Sequence, residues 1–341
     1  MAGKIRVLLI DDSGFMRIVL SDMLRSDGGV ELVATASNGL EGVEKTRALK
    51  PDVVITDMIM PNYNGLYVVK TLMDTMPLPI ILMSSLDRTD PQIFDALTLG
   101  AFDFIDKPRT TESQQGYPQL ITMIREASHS DYIKLRSRAK GRNASTHSFE
   151  AKLNYDIIAI GASTGGPSAV EYVVCNIPRN LSIPVIIAQH MPERFIETYA
   201  VRLAAETGLP VGVAREGMHL MPGHIYLSPG TSNIRIENRD RNAVVRFVND
   251  HYHEFNCPSV DCLFESVAEV YGKRGIGVVL TGMGKDGTAG LSKMKSAGAL
   301  TIAQDEATSV VYGMPKSAFD SGAALHQLPL SEIPNFIISG L

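Results

Sequence analysis

Cysteine is scarce in this chain: Cys175, Cys257 and Cys262 are the three among 341 residues. An odd, small number in a long sequence suits a reducing compartment better than a disulfide framework. Cys257 and Cys262 lack the second ligand pair of a structural zinc site. No apolar run approaches the ~18 residues that cross a bilayer. Basic residues are not in excess: 32 Lys and Arg stand against 37 Asp and Glu, for a formal charge of −5. That balance speaks against nucleic acid as a partner, which calls for a clustered basic face. The opening Met-Ala-Gly-Lys-Ile-Arg leads straight into an apolar segment without a signal-peptide pattern. A cytoplasmic protein is expected.

What is present is ordinary globular material, 45% hydrophobic and 20% charged, in a chain long enough for two cores. Short apolar runs at Val7–Ile10, Leu32–Ala34, Val53–Ile55, Ile80–Met83 and Phe102–Ile105 alternate with amphipathic segments such as Phe15–Leu24 and Gly39–Leu49. Strands alternating with helices predict a doubly wound parallel α/β domain over residues 1–127. Their continuous hydrophobicity fits strands covered on both faces. Residues 128–151 are basic, then polar, and read as a linker, or in their first half as a solvated helix. Runs at Ile157–Ile160, Val185–Ala188 and Ile276–Leu280 open a second α/β domain over residues 152–341, again with a mainly parallel sheet. Four shorter strands, Val211–Val213, Ile225–Leu227, Ile234–Ile236 and Val244–Val248, suggest a hairpin within it.

Asp11 and Asp12 directly follow the first strand, and Asp57 follows the third. All three are thereby placed at the carboxyl edge of the sheet, where ligands bind in such folds. Three carboxylates so close repel one another, a strain that a hard cation such as Mg²⁺ relieves. Ser84 and Lys107, after the fourth and fifth strands, offer a hydroxyl and an ammonium to a phosphoryl group on Asp57. Alone, an Asp-Asp pair is equally a turn or a helix cap. Through Asp11-Asp12-Ser13, Asp57-Met-Ile-Met-Pro61, Ser84-Ser85 and Lys107-Pro108, residues 5–125 resemble the flavodoxin-like receiver domain of bacterial two-component response regulators. The resemblance implies phosphorylation of Asp57 by a histidine kinase, with Mg²⁺ held by Asp11, Asp12 and Asp57. It also implies a relay through Ser84, Phe104 and Lys107, and a cis peptide before Pro108.

Gly161-Ala-Ser163-Thr-Gly165-Gly166 follows the Ile157–Ile160 run and precedes a helix starting near Pro167. Small residues around a serine permit a sharp strand-to-helix turn that lifts Oγ out of the sheet edge. The helix start supplies unpaired N–H groups where an oxyanion would form. A dinucleotide fingerprint would need glycine where Ser163 stands, whereas a plain glycine-rich turn is a fair competitor for this motif alone. Gln189-His190-Met-Pro192 follows the next strand, and Thr281-Gly-Met283-Gly-Lys285-Asp286-Gly287 follows Ile276–Leu280. Three strands therefore deliver a nucleophile, a base and an orienting carboxylate to one edge. His251 and His253 alternate like strand neighbours, but no further ligand set suggests a metal there.

These stretches, with Leu220-Met-Pro-Gly223, Pro258-Ser-Val-Asp261 and Ala303-Gln-Asp-Glu306 through Gly313-Met-Pro315, make residues 154–340 similar to the catalytic domain of chemotaxis protein-glutamate methylesterases and glutamine deamidases. That domain is Rossmann-like, and the segment Asn249–Cys257 departs from the pattern. The resemblance implies Ser163 as nucleophile, His190 as general base, Asp286 as its partner, and backbone N–H groups near Thr164 and Met283 as the oxyanion hole. No cofactor is called for by hydrolysis itself. It further implies phosphorylation-activated removal of methyl esters, and of receptor amides, from methyl-accepting chemotaxis receptors. The enzyme would then be a monomer that reaches the membrane only through those receptors. Two other readings stand beside it: an interaction module with a vestigial triad, and a general esterase or peptidase.

Overall fold

The structure, a computed structural model, describes residues 3–84, 91–107, 118–130, 155–239, 242–249, 252 and 257–339. The chain divides into two compact units, Met1–Lys140 and Gly141–Leu341.

The first unit is a five-stranded parallel sheet in the order β2-β1-β3-β4-β5. Its strands are β1 (Ile5–Ile10), β2 (Val30–Ala36), β3 (Val53–Asp57), β4 (Ile80–Ser84) and β5 (Asp103–Asp106). Helices α1 (Gly14–Ser26), α2 (Gly39–Leu49), α3 (Gly65–Thr75), α4 (Gln92–Leu99) and α5 (Pro118–His129) connect or follow them. Val7 to Ile10 and Ile80 to Met83 are wholly buried, the mark of central strands covered on both faces. Ser13, Asn38 and Asn64 cap the first three helices, accepting from the N–H groups of Met16, Glu41 and Tyr67. These caps stop the extended chain soon after the strand ends and leave Asp11, Asp12 and Asp57 at the carboxyl edge. The apolar run expected over Phe102–Ile105 pairs one residue later, because Phe102 spends its N–H on the Ile80 carbonyl and Asp103 opens the ladder. α5 continues two residues past the boundary expected at 127. The remainder of the expected linker, from 131 on, and the bond to Pro108 lie outside the described residues.

The second unit is built on seven parallel strands in the order β14-β13-β12-β6-β7-β9-β8. They are β6 (Ile157–Ala162), β7 (Val185–Gln189), β8 (Val211–Val213), β9 (Ile225–Leu227), β12 (Gly275–Val279), β13 (Leu300–Gln304) and β14 (His326–Leu328). A separate antiparallel hairpin pairs β10 (Asn233–Arg239) with β11 (Asn242–Val248). Of the four short strands, only the last two therefore form the hairpin. Val211–Val213 and Ile225–Leu227 run parallel in the main sheet, since residues 214–224 carry the chain back to the same starting edge. The helices are α6 (Gly166–Cys175), α7 (Glu193–Thr207), α8 (Val260–Tyr271), α9 (Thr288–Ser296), α10 (Met314–Asp320) and α11 (Ile333–Ser339).

β6 is the switch point: β7 lies on one side and β12 on the other, so ligand-bearing loops diverge at its carboxyl end. The apolar face of α8, including Val260, Leu263, Phe264 and Val267, is buried in one cluster with Ile157, Ala159, Ile234 and Val245. Gly161 allows this approach, because a Cβ there would lie 2.1 Å from Val260 Cγ1. The start of α8 is thus pressed against the end of β6.

Candidate active site and phospho-acceptor pocket

Ser163 occupies the turn between β6 and α6. Its N–H donates to the Thr281 carbonyl at 3.0 Å, and its carbonyl accepts from Gly166 N–H at 2.7 Å. Gly165 takes φ +71°, a left-handed value that suits glycine, and Pro167 sits in the first turn of the helix. His190 follows β7, its N–H donating to Ala162 O at 3.0 Å beside the nucleophile turn. One ring and one carboxylate meet here: His190 Nε2 lies 2.9 Å from Asp286 Oδ2. Among the described residues no hydrogen bond joins Ser163 Oγ to His190, a contact that often tightens only with substrate bound. With Nε2 engaged by a carboxylate acceptor, the neutral ring carries its proton there and keeps the Nδ1 lone pair.

Asp286 is 1% exposed and fully engaged. Oδ1 accepts from Ser259 Oγ at 3.1 Å, Asp261 N–H at 2.9 Å and Gly287 N–H at 3.0 Å. Oδ2 accepts from Val260 N–H at 2.8 Å as well as from His190. The carboxylate therefore sits on the N-terminal turn of α8, whose unpaired N–H groups and dipole favour an anion. Burial pushes its pKa up, but the bond to His190 and the N–H groups of Asp261 and Val260 outweigh it, leaving the group below the usual carboxylate value. Neighbouring Asp261 shows the converse. Burial drives it up to about 6 despite the Gly290 N–H, and the nearby Asp286 charge adds to the rise.

The loop after β12 closes against the nucleophile. A Cβ on Gly282 would lie 2.7 Å from Ser163 Cβ. The Gly282 carbonyl accepts from Gly313 N–H at 3.1 Å and Met314 N–H at 2.8 Å, and across a trans peptide this turns the Met283 N–H the opposite way. Three residues that the sequence motifs include without assigning them a role stabilise this geometry. Thr281 Oγ1 donates to Thr164 O at 2.9 Å and accepts from Val311 N–H at 2.9 Å. Gln304 Oε1 takes the Thr281 N–H at 2.8 Å. Ser259 carries a readable signal as the N-cap of α8, but its second bond, to Asp286, leaves no local trace.

In the first unit, Asp11, Asp12 and Asp57 place ligand oxygens within 4.8 Å of one another. Lys107 Nζ bridges Asp11 Oδ2 and Asp57 Oδ2 at 2.7 Å each. Burial lifts Asp57 to about 6 against the opposing pull of Lys107. Burial lowers Lys107, yet its two carboxylate partners raise it above the usual lysine value. Ser84 is buried at the end of β4, and its carbonyl accepts from Lys107 N–H at 2.8 Å. Phe104 is 8% exposed on β5. An acidic, oxygen-only cradle with one exposed carboxylate, Asp12, fits a hard divalent cation such as Mg²⁺.

A profile of the CheB methylesterase family matches residues 158–337. The chain belongs to that family. A response regulator receiver domain profile matches residues 7–115 of this CheB-family chain. It is 39% identical over 340 residues to the protein-glutamate methylesterase/protein-glutamine glutaminase of Thermotoga maritima, covering 98% of both chains. With the protein of the same description from Pyrococcus abyssi it shares 35% identity over 345 residues, covering 98% of this chain and 93% of the other. The crystal structure of the Thermotoga maritima CheB methylesterase catalytic domain superposes with a TM-score of 0.53 at 36% identity, covering 55% of this chain and 99% of that one. CheB-family membership accounts for both compact units. No helix among the described residues is long and apolar enough to cross a membrane.

Proposed function

We propose that this chain is a phosphorylation-activated protein-glutamate methylesterase and protein-glutamine glutaminase of chemotaxis adaptation, with Ser163, His190 and Asp286 as its catalytic residues. The observation that carries this is the 2.9 Å pair between His190 Nε2 and Asp286 Oδ2, formed beside the Ser163 turn in a CheB-family chain. Ser163 Oγ attacks the γ-carbonyl carbon of a methylated receptor glutamate while its proton passes to His190 Nδ1. Asp286 stabilises the imidazolium through Nε2–H. The Thr164 and Met283 N–H groups receive the developing oxyanion. His190 then returns the proton to the departing methoxide, releasing methanol and leaving an acyl-serine. Water, deprotonated by His190, cleaves that ester to glutamate and regenerates Ser163. A receptor glutamine follows the same course with loss of ammonia.

In the receiver domain, over residues 1–127, Asp57 accepts a phosphoryl group from a histidine kinase. Asp11, Asp12 and Asp57 would hold Mg²⁺. When bound, the cation screens charge between the carboxylates and the phosphoryl oxygens. Lys107 pairs with those oxygens, and Ser84 and Phe104 relay the change. The linker, which starts after the end of α5 at His129 rather than at 128, joins the receiver to the hydrolase domain over 152–341. The protein works as a cytoplasmic monomer that meets the membrane through its receptor substrates.

The test is methanol release from membranes carrying methylated receptor, with and without a small-molecule phosphodonor. Release by the parent that rises with phosphodonor, and is lost by several powers of ten in Ser163→Ala, supports the reading. Equal release by the parent and the alanine variant refutes it.

A further inference from the structure

We propose that Gln189 is a positioning residue that aims the Thr164 N–H at the oxyanion; the proposal rests on Ser163 being the nucleophile. Gln189 ends β7, opposite Ala162 in the ladder, and is 1% exposed. Its Nε2 donates to the Ser163 carbonyl at 3.0 Å and to the His190 carbonyl at 3.0 Å. Both partners are acceptors only, so the amide has one allowed orientation; exchanging N and O would set three oxygens against one another. Oε1 is left buried without a hydrogen-bond partner among the described residues. An apolar side chain of similar shape would remove that penalty but would also release the Ser163 and His190 carbonyls, so what the amide supplies at this position is its two bonds.

The geometry of the peptide unit supplies the reason. The Ser163–Thr164 bond is trans, as is every described peptide bond except Cys257–Pro258, and a trans unit directs its C=O and N–H to opposite sides. Pinning the Ser163 oxygen between Gly166 N–H and Gln189 Nε2 therefore fixes the direction of the Thr164 N–H. At the second donor, Met283, the corresponding clamp on the Gly282 carbonyl is all backbone. Thr164 is the donor whose aim depends on a side chain. That side chain is itself held, since a Cβ on Gly166 would lie 2.2 Å from Gln189 Oε1. By gripping the His190 carbonyl as well, one amide ties the nucleophile turn to the segment bearing the base.

Gln189→Met in the full-length protein keeps the volume and removes the donor. With methylated receptor membranes, kcat is expected to fall about tenfold to hundredfold, the scale of a small misplacement of a reacting group. KM should stay unchanged, and the unfolding midpoint should fall by no more than a few degrees, because the His190 carbonyl loses its donor. Inhibition by a boronic acid, whose serine adduct is tetrahedral and anionic, should weaken in proportion to kcat. Gln189→Leu is a second apolar replacement for the case in which Met packs poorly. A kcat within twofold of the parent in a folded variant overturns the proposal, and so does unfolding of both variants, which would make Gln189 a structural residue. Ser163→Ala run alongside separates the two levels: full activity there refutes the nucleophile assignment itself, whereas its loss with an unaffected Gln189→Met refutes only the role of Gln189.

Discussion

Replacing Asp286 by asparagine exchanges one carboxylate oxygen for an NH₂ group, and the five donors around it determine the result. Oδ1 serves Ser259 Oγ and the N–H groups of Asp261 and Gly287, whereas Oδ2 serves Val260 N–H and His190 Nε2. An asparagine has one acceptor oxygen, and the three-donor side claims it. Its NH₂ then faces Val260 N–H and His190 Nε2. The ring answers by accepting at Nε2 and moving its proton to Nδ1, where a base for Ser163 is required. The same tautomer error in other Ser-His-Asp hydrolases costs ~10⁴ in kcat, and a similar loss with little change in KM is expected here. The buried Val260 N–H loses its acceptor, which costs about 1–3 kcal/mol and lowers the unfolding midpoint by a few degrees. Methanol release from methylated receptor, read with thermal unfolding of the same preparation, measures both effects. A variant that is folded and retains kcat within tenfold of the parent would show that Asp286 does not set the His190 tautomer.

Asp261→Asn tests the buried neighbour. A carboxyl raised to about 6 in the folded state binds its proton more tightly there than when unfolded, so its protonated form stabilises the fold below about pH 4. That contribution is lost as pH rises through about 6, and the parent should lose on the order of 2–3 kcal/mol relative to the asparagine variant between those limits; parallel urea titrations showing a pH-independent difference would contradict the burial argument. Gly161→Ala drives a methyl group into Val260 and should destabilise by about 1–3 kcal/mol, lowering methanol release at the same time because Val260 N–H holds Asp286. Asp57→Asn should abolish the increment in methanol release produced by a phosphodonor, and ³²P incorporation equal to the parent's would place the acceptor elsewhere.

The strands that carry Asp57, Ser163, His190 and Asp286 were legible because each is a continuous apolar run ending in a polar residue, and a parallel sheet sends all such ends to one edge. Direction was not legible in three-residue strands. Val211–Val213 and Ile225–Leu227 have too few residues to declare a partner, and the course of 214–224 decides that they run parallel. Nor did Leu300–Gln304 and His326–Leu328, which complete one side of the sheet, stand out among the surrounding motifs. The supporting polar groups were hidden for a different reason. Thr281 Oγ1 and Thr164 O are 117 residues apart, and Ser259 Oγ and Asp286 Oδ1 are 27 apart. A hydroxyl has no periodic signature, so its remote partner emerges only once the chain has folded.

β6 takes its two neighbours from distant parts of the polypeptide: β7 comes next, but β12 arrives only after β7 to β11 have been made. During synthesis, β6 therefore waits with one row of N–H and C=O groups unsatisfied, an open template for strands of other molecules. A stop codon between Val248 and Gly275 should accordingly yield a product that aggregates rather than a smaller soluble domain. Ribosomes that stall in that interval would hold nascent chains in need of a chaperone.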